Sequence, residues 1–307
     1  MTRGTPPPVP PPAPPAMTSA APAAVPRPAA TTPRPPSALY DALAPVYDRW
    51  QSADGMTPFS LVTLAKLLPT LARHGRDRVG PEAGPSTPDR SFVDLGCGTG
   101  ELLLGLGRAH PGWRLVGLDG SARMIDCARH KPGGERIDWR VGPLAAPPLP
   151  PAGTGAGADT GAGSAGFDAA GCFYDTLNHL IEPGALAAMV GVVAAALRPG
   201  GLFVFDATNA IGFDRWWRGN RSWRGAGWSV TVETRYDPVQ RLGHAEVTVS
   251  HDGVPVTAQL TERHFGDDEL RAALSDAALD VVVAERWSPF DIDAPGKTWW
   301  ITRKRPS

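Results

Sequence analysis

From Ser91 onward the chain alternates short apolar runs with segments of helical period. Ser91–Leu95 reads as a strand, Gly96–Gly100 as a glycine turn and Glu101–His110 as an amphipathic helix. Trp113–Asp119 is the next strand, Ser121–His130 the next helix and Arg136–Gly142 the third strand. Phe167–Tyr174, Gly184–Leu197 and Gly201–Ala207 continue the pattern as strand, helix and strand. Strands alternating with helices at this pitch predict a parallel sheet with helices on both faces. After about residue 210 the period changes to two. Gly227–Tyr236, Gly243–Asp252 and Pro255–Phe265 read as antiparallel strands, with turns at Asp237-Pro238 and Asp252-Gly253. A helix over Asp267–Leu279 and strands over Val281–Trp287 and Thr298–Lys304 close the chain. The predicted fold is α/β: a mostly parallel sheet carrying an antiparallel lid at about 211–265.

Ahead of this core, Leu39, Leu43, Val46 and Trp50 recur at helical spacing, interrupted by Pro45. Thr57 and Pro58 mark the start of a helix whose apolar face is Leu61, Leu64, Leu67, Leu68 and Leu71. Residues 75–90 read as a surface loop, and the Gly/Ala tract at 146–166 as a flexible insert. Composition sets the first 36 residues apart. They hold 14 of the 34 prolines, no aromatic and no carboxylate, so they read as a disordered tail, with Met17 an alternative start to Met1. Residues 37–307 then form the folded domain.

Charge and cysteine usage exclude several classes. The chain has 30 Lys and Arg against 31 Asp and Glu; three of the Arg lie in the tail, leaving −4 on the folded part. That acidic balance argues against a nucleic-acid partner. No apolar run reaches ~18 residues, so no membrane span is expected. Cys97, Cys127 and Cys172 are an odd number without metal spacing, which fits reduced thiols, a cytoplasmic location and no metal site. A monomer or a homodimer is expected.

The chemistry is concentrated in Val93-Asp94-Leu95-Gly96-Cys97-Gly98-Thr99-Gly100-Glu101. A strand ends, the backbone turns on three alternating glycines, and a helix begins, so a ligand can lie directly on the main chain. Asp119 follows at the tip of the second strand, placed to accept hydrogen bonds from ribose hydroxyls. A dinucleotide would set its pyrophosphate beside Asp94, and its fingerprint is G-x-G-x-x-G; here the spacing is G-x-G-x-G. S-adenosylmethionine is cationic where the dinucleotide is anionic, and Asp94 is complementary to it.

The Asp94–Gly100 segment followed by Leu118-Asp119-Gly120-Ser121-Ala122-Arg123-Met124-Ile125 resembles the class I S-adenosylmethionine-dependent methyltransferase family, in its small-molecule branch. The resemblance runs from about Tyr40 to Asp206 and resumes more weakly beyond. It implies a seven-stranded Rossmann-like sheet with a reversed last strand and S-adenosylmethionine as cofactor. Gly96, Cys97, Gly98 and Gly100 would line its methionine part with Asp94 close behind. Asp119 would hold the ribose, and Met124 would flank the adenine. Where the family has Gly-Asp after the third strand this chain has Gly142-Pro143, which leaves adenine either to the Leu144 backbone or held less tightly. The segment Asp175-Thr176-Leu177-Asn178-His179-Leu180 and the helix bearing Tyr40 and Tyr47 also resemble that branch, the helix closing over the cofactor. Tyr174 and His179 would edge the methyl group, His179 being open to a general-base role, which its natural pKa suits, or to capping and packing the helix after the fourth strand. Asp206 is open to a substrate-facing or a turn-capping role, Trp216 or Trp217 to a place in the acceptor pocket, and His264 reads as structural. The expected activity is methyl transfer to a small or medium-sized acceptor, nitrogen before oxygen. A peptide or O-directed enzyme and a non-catalytic binder are the alternatives.

Overall fold

The computed structural model describes residues 36–53, 59–74, 90–152, 166–288 and 295–306. The tail, the Thr57-Pro58 helix start and most of the Gly/Ala insert lie outside the described residues. Three helices come first: α1 (Pro36–Leu43), α2 (Tyr47–Gln51) and α3 (Phe59–His74). The core then runs β1 (Ser91–Leu95), α4 (Glu101–Ala109), β2 (Arg114–Asp119), α5 (Ala122–His130), β3 (Asp138–Val141), β4 (Phe167–Cys172), α6 (Ala185–Ala196) and β5 (Leu197–Thr208). Every residue of β1 and β4 is buried, as expected of central strands covered on both faces.

The chain continues through α7 (Ala210–Trp216), β6 (Gly219–Gly225), β7 (Trp228–Asp237), β8 (Leu242–His251), β9 (Val254–Arg263), α8 (Asp267–Asp276), β10 (Leu279–Trp287) and β11 (Lys297–Lys304). Seven strands form one sheet in the order β10-β11-β5-β4-β1-β2-β3. Only β11 runs against its neighbours, pairing antiparallel with both β5 and β10, as the family resemblance implied. β6–β9 form a separate antiparallel sheet of four strands. The sequence pattern yielded three of these. β6, Gly219 to Gly225, is an edge strand almost wholly exposed, so its polar, Arg-bearing sequence carries no alternation to detect. The lid region also opens with a helix, α7, capped by the Asn209 side chain.

The antiparallel sheet is anchored by one apolar cluster. Leu39, Leu43 and Val46 of the N-terminal helices pack with Val230, Ala245, Val247, Val249 and Ala258 of its inner face, and with Met124 of α5. Trp217 belongs to this cluster, stacked on Phe213. Burying those side chains at about 25 cal/mol per Å² fixes the N-terminal helices against the antiparallel sheet and α5.

Candidate active site

A cavity of about 810 Å³ opens at the carboxyl ends of β1, β2 and β4. This is where the strand order reverses, because β1 pairs with β2 on one side and β4 on the other. Its floor is the loop after β1. The backbone N–H groups of Gly96 and Cys97 donate to the Leu118 carbonyl at 2.7 and 3.0 Å, fastening the loop to β2. Asp119 completes the closure, accepting from Gly98 N–H at 2.8 Å with one oxygen and from Ser121 N–H at 2.8 Å with the other. Burial pushes the Asp119 carboxyl up, against the lowering effect of those backbone donors.

Two glycines are required for distinct reasons. Gly96 has φ +72°, and a Cβ there would run into the side chain of Thr176. Gly100 has φ +80°, and a Cβ there would run into the Trp139 ring, so this glycine serves the packing of α4 on the sheet. Accordingly Gly100 is absent from the cavity wall. So is Asp94, which is 3% exposed below the loop, its carboxyl pushed up to about 8 by burial and by Asp119. The other ten residues singled out by sequence, namely Tyr40, Tyr47, Gly96, Cys97, Gly98, Asp119, Met124, Leu144, Tyr174 and His179, all line the cavity. Pro143 lines it too, beside Leu144.

The N-terminal helices are latched across this cavity. Asp41 accepts from the Ser121 hydroxyl at 2.6 Å, and Asp48 accepts from the Thr99 hydroxyl and pairs with Lys131 at 2.6 Å. Lys131 also pairs with Glu101 at 2.6 Å. Neither Asp41 nor Asp48 was picked out by sequence, since surface carboxylates on a short helix carry no distinguishing pattern.

On the opposite wall the chain leaves β4 through two non-glycine residues in the left-handed region, Tyr174 at φ 61° and Asp175 at φ 62°. Such positions persist only when their surroundings over-determine them. Here Asp206 of β5 accepts from both backbone N–H groups, at 3.4 and 3.3 Å. Lys297 of β11, 2% exposed, donates to Asp175 at 2.6 Å and Asp206 at 2.9 Å. Thr208 also donates to Asp175. Asp206 therefore neither lines the cavity nor caps a turn of its own: it is the buried base of this strained loop. The nearby cation opposes the upward push of burial on Asp206, while the two carboxylates hold the Lys297 proton more tightly than usual.

A 3-10 turn, Thr176–His179, follows. Asn178 is fully buried and binds Thr208 of β5 and the Arg263 carbonyl of β9. His179 Nε2 lies 2.8 Å from the Tyr40 hydroxyl and 3.8 Å from Glu262 Oε1 of β9. Burial lowers the His179 pKa to about 4, leaving the ring neutral near pH 7. His264 bonds the Tyr236 hydroxyl at 3.1 Å and packs on Phe213. Trp216 and Trp217 are both off the cavity wall; Trp217 closes over Gly243.

The lining chemistry tests the fit of a cofactor. Asp48, Glu101, Asp119 and Glu182 line the cavity, and among the described residues no Lys or Arg does. Such a wall accepts a cationic nucleoside and repels a pyrophosphate. Its volume suits a nucleoside-sized ligand together with a second small molecule.

Residues 93–203 match the family model described as a methyltransferase domain. Residues 93–203 thus form a methyltransferase domain. No curated protein matches this methyltransferase in sequence. Among solved structures it resembles the CcbJ methyltransferase from Streptomyces caelestis, with 20% identity, TM-score 0.64, and coverage of 87% of this chain and 98% of that one. An S-adenosylmethionine-dependent methyltransferase from Clostridium acetobutylicum gives 15% identity, TM-score 0.65, and coverage of 87% and 100%. The sugar N-methyltransferase KedS8 from Streptoalloteichus gives 19%, 0.61, and coverage of 92% and 99%. At these identities the likeness establishes the fold. No helix among the described residues is long and apolar enough to cross a membrane.

Proposed function

We propose that this methyltransferase moves a methyl group from S-adenosylmethionine to an amine nitrogen of a small or medium-sized acceptor, acting in the cytoplasm as a monomer or homodimer. The observation that carries the reading is a glycine loop closed by Asp119 at the foot of a cavity lined by four carboxylates. A cationic amine is attracted to such a wall, whereas a phosphorylated acceptor would meet no basic side chain among the described lining residues. The likeness to the sugar N-methyltransferase KedS8 adds weight to nitrogen.

In this reading Gly96, Cys97 and Gly98 receive the methionine part of the cofactor and Asp119 the ribose hydroxyls. Asp94 sits behind the loop as the counter-charge, and Gly100 acts indirectly by keeping α4 against Trp139. Met124 and Leu144 flank the adenine, and Tyr40 and Tyr47 close the cavity from α1 and α2. The cofactor supplies an activated methyl with a good leaving group. The residues must therefore align the acceptor nitrogen behind that methyl, an effect worth up to ~7–11 kcal/mol, and remove the proton of an ammonium acceptor. A neutral His179 suits the second task, and Tyr174 walls the acceptor side.

Calorimetric titration with S-adenosylmethionine, S-adenosylhomocysteine, NAD and NADP tests the cofactor: binding of the first two alone is expected, and binding of a dinucleotide alone would overturn the reading. Amino sugars, alkyl and aryl amines, phenols and short peptides are then incubated with labelled S-adenosylmethionine. Label transfer to amines supports nitrogen. Transfer to phenols or peptides alone would replace that acceptor class, and cofactor binding without any transfer would favour a non-catalytic binder.

A further inference from the structure

One buried acid remains without a role. Glu262 lies at the end of β9, in strand phase with Ala258 and Leu260 on the inner face of the antiparallel sheet. It is 5% exposed, and among the described residues its Oε2 has no hydrogen-bond partner. An ionised carboxyl costs several kcal/mol to place there unless it is paired or hydrogen-bonded. What it faces is the site. Both α1 and the Thr176–His179 turn pack on β9, so His179 Nε2 lies 3.8 Å from Glu262 Oε1 and 2.8 Å from the Tyr40 hydroxyl. His179 Nδ1 is likewise buried without a partner among the described residues, so the ring's only bonded nitrogen is the one shared with Tyr40. Tyr40 itself lines the cavity.

We propose that Tyr40, His179 and Glu262 form one buried proton relay, in which Glu262 is the positioning residue that readies His179 to take the acceptor's proton through the Tyr40 hydroxyl. The relay rests on the N-methylation reading above. The acceptor ammonium gives an N–H proton to Tyr40 Oη as the Tyr40 O–H proton passes to His179 Nε2. The imidazolium formed is balanced by the Glu262 carboxylate. The freed nitrogen lone pair makes the new N–C bond while the C–S bond breaks, its electron pair staying on sulfur. The relay later returns its proton to solvent, so one proton is released per methyl moved. Direct contact between Glu262 and the acceptor is unnecessary: the antiparallel sheet completes the base from behind.

The pH dependence has a definite sign. The relay is a base only with Glu262 ionised. Burial raises the Glu262 proton affinity, Asp175 and Asp206 raise it further, and Lys297 opposes them; Tyr40 and His179 face it from α1 and the turn. Ionisation therefore falls above the ordinary carboxyl range, and kcat rises with pH through it.

The test uses the full chain with histidine ring nitrogens labelled by 15N, the His179 signal being assigned by its loss in His179→Gln. Native His179 is expected to show an inflection above the ordinary carboxyl range, where buried carboxyl groups ionise. Glu262→Gln, which keeps the side-chain shape, should abolish that inflection, while Glu262→Asp should keep one at a shifted pH. In the presence of an amine that is turned over, Glu262→Gln should lower kcat about 10²-fold or more and remove its rising limb, with Glu262→Asp partly restoring both. Affinity for S-adenosylhomocysteine should stay within about twofold, since a relay acts on the acceptor side. A native His179 signal without the inflection, or a Glu262→Gln protein whose His179 curve or kcat limb matches the native one, would overturn the relay. Failure to bind S-adenosylhomocysteine, or turnover of no amine, would count instead against the methyl-transfer reading, because the ring-nitrogen titration needs neither.

Discussion

Asp94→Asn is the substitution whose effect the structure fixes most tightly. Asp94 is 3% exposed, and burial together with Asp119 raises its carboxyl from 3.8 to about 8. A carboxyl held more tightly protonated in the folded chain than in the unfolded one contributes full stability below its unfolded pKa. That contribution is lost as pH climbs toward the folded value. At roughly pH 7 the gap is about 3 pKa units, which amounts to about 4 kcal/mol of destabilisation. Asparagine has the same shape and no such cost. The difference in unfolding free energy between Asp94→Asn and the native chain should therefore be near zero at about pH 4. It should climb to about 4 kcal/mol at about pH 7 and level off above about pH 8. Urea denaturation of both proteins across that range gives the difference directly. His179 contributes a slope of opposite sign, because its folded pKa of about 4 lies below its ordinary 6.5, but that term cancels between the two proteins. The same series with saturating ligand tests the assignment of Asp94 as counter-charge. S-adenosylmethionine should narrow the difference more than S-adenosylhomocysteine, which lacks the sulfonium. A difference that stays flat or falls with pH would refute the electrostatic account of Asp94.

Three further substitutions probe separate parts of the site. Asp119→Ala removes the partner of the Gly98 and Ser121 N–H groups as well as the proposed ribose contact, so cofactor affinity measured by calorimetry should fall about 10²-fold or more, at 1.5–3 kcal/mol per charged hydrogen bond; unchanged affinity would remove Asp119 from the binding site. Gly100→Ala forces a Cβ into Trp139 at φ +80° and should cost about 2–4 kcal/mol in denaturant midpoint analysis, summing backbone and overpacking costs. Lys297→Met leaves the buried Asp206 and the half-buried Asp175 without their cation and should destabilise the chain by about 3–5 kcal/mol near neutral pH, a loss that eases as pH falls and the carboxyls protonate; a midpoint within experimental error of native would show that the ion pairs contribute nothing.

The parallel core could be read from sequence because its information is local. Each strand is a short apolar run, each helix has its own period, and the Asp94–Gly100 turn with Asp119 lies within thirty residues. The antiparallel sheet was readable where one face is buried, as in β7 and β8, and unreadable at β6, whose exposed edge imposes no alternation. Glu262 did leave a trace. In Val256, Ala258, Leu260 and Glu262 the strand period puts a carboxylate on the inward face, a signal visible only once period two is followed to the end of the run.

What the sequence withheld is pairing across distance. Tyr40 and His179 are 139 residues apart, and Asp175 and Lys297 are 122 apart; no local pattern marks either partner. Yet these contacts explain why the segment from Asp175 to Leu180 has its composition. Asp175 binds Lys297 and Thr208, Thr176 packs over Gly96, Asn178 ties β5 to β9, and His179 meets Tyr40, while Leu177 and Leu180 enter the core. Each polar side chain of that hexapeptide is spent on a different element: the last strand, the glycine loop, the antiparallel sheet or the N-terminal helix. A loop with two residues in the left-handed region holds its shape only while all four elements are in place. The Tyr174–His179 wall is thus built on contacts from both ends of the folded domain, Lys297 of β11 and Tyr40 of α1.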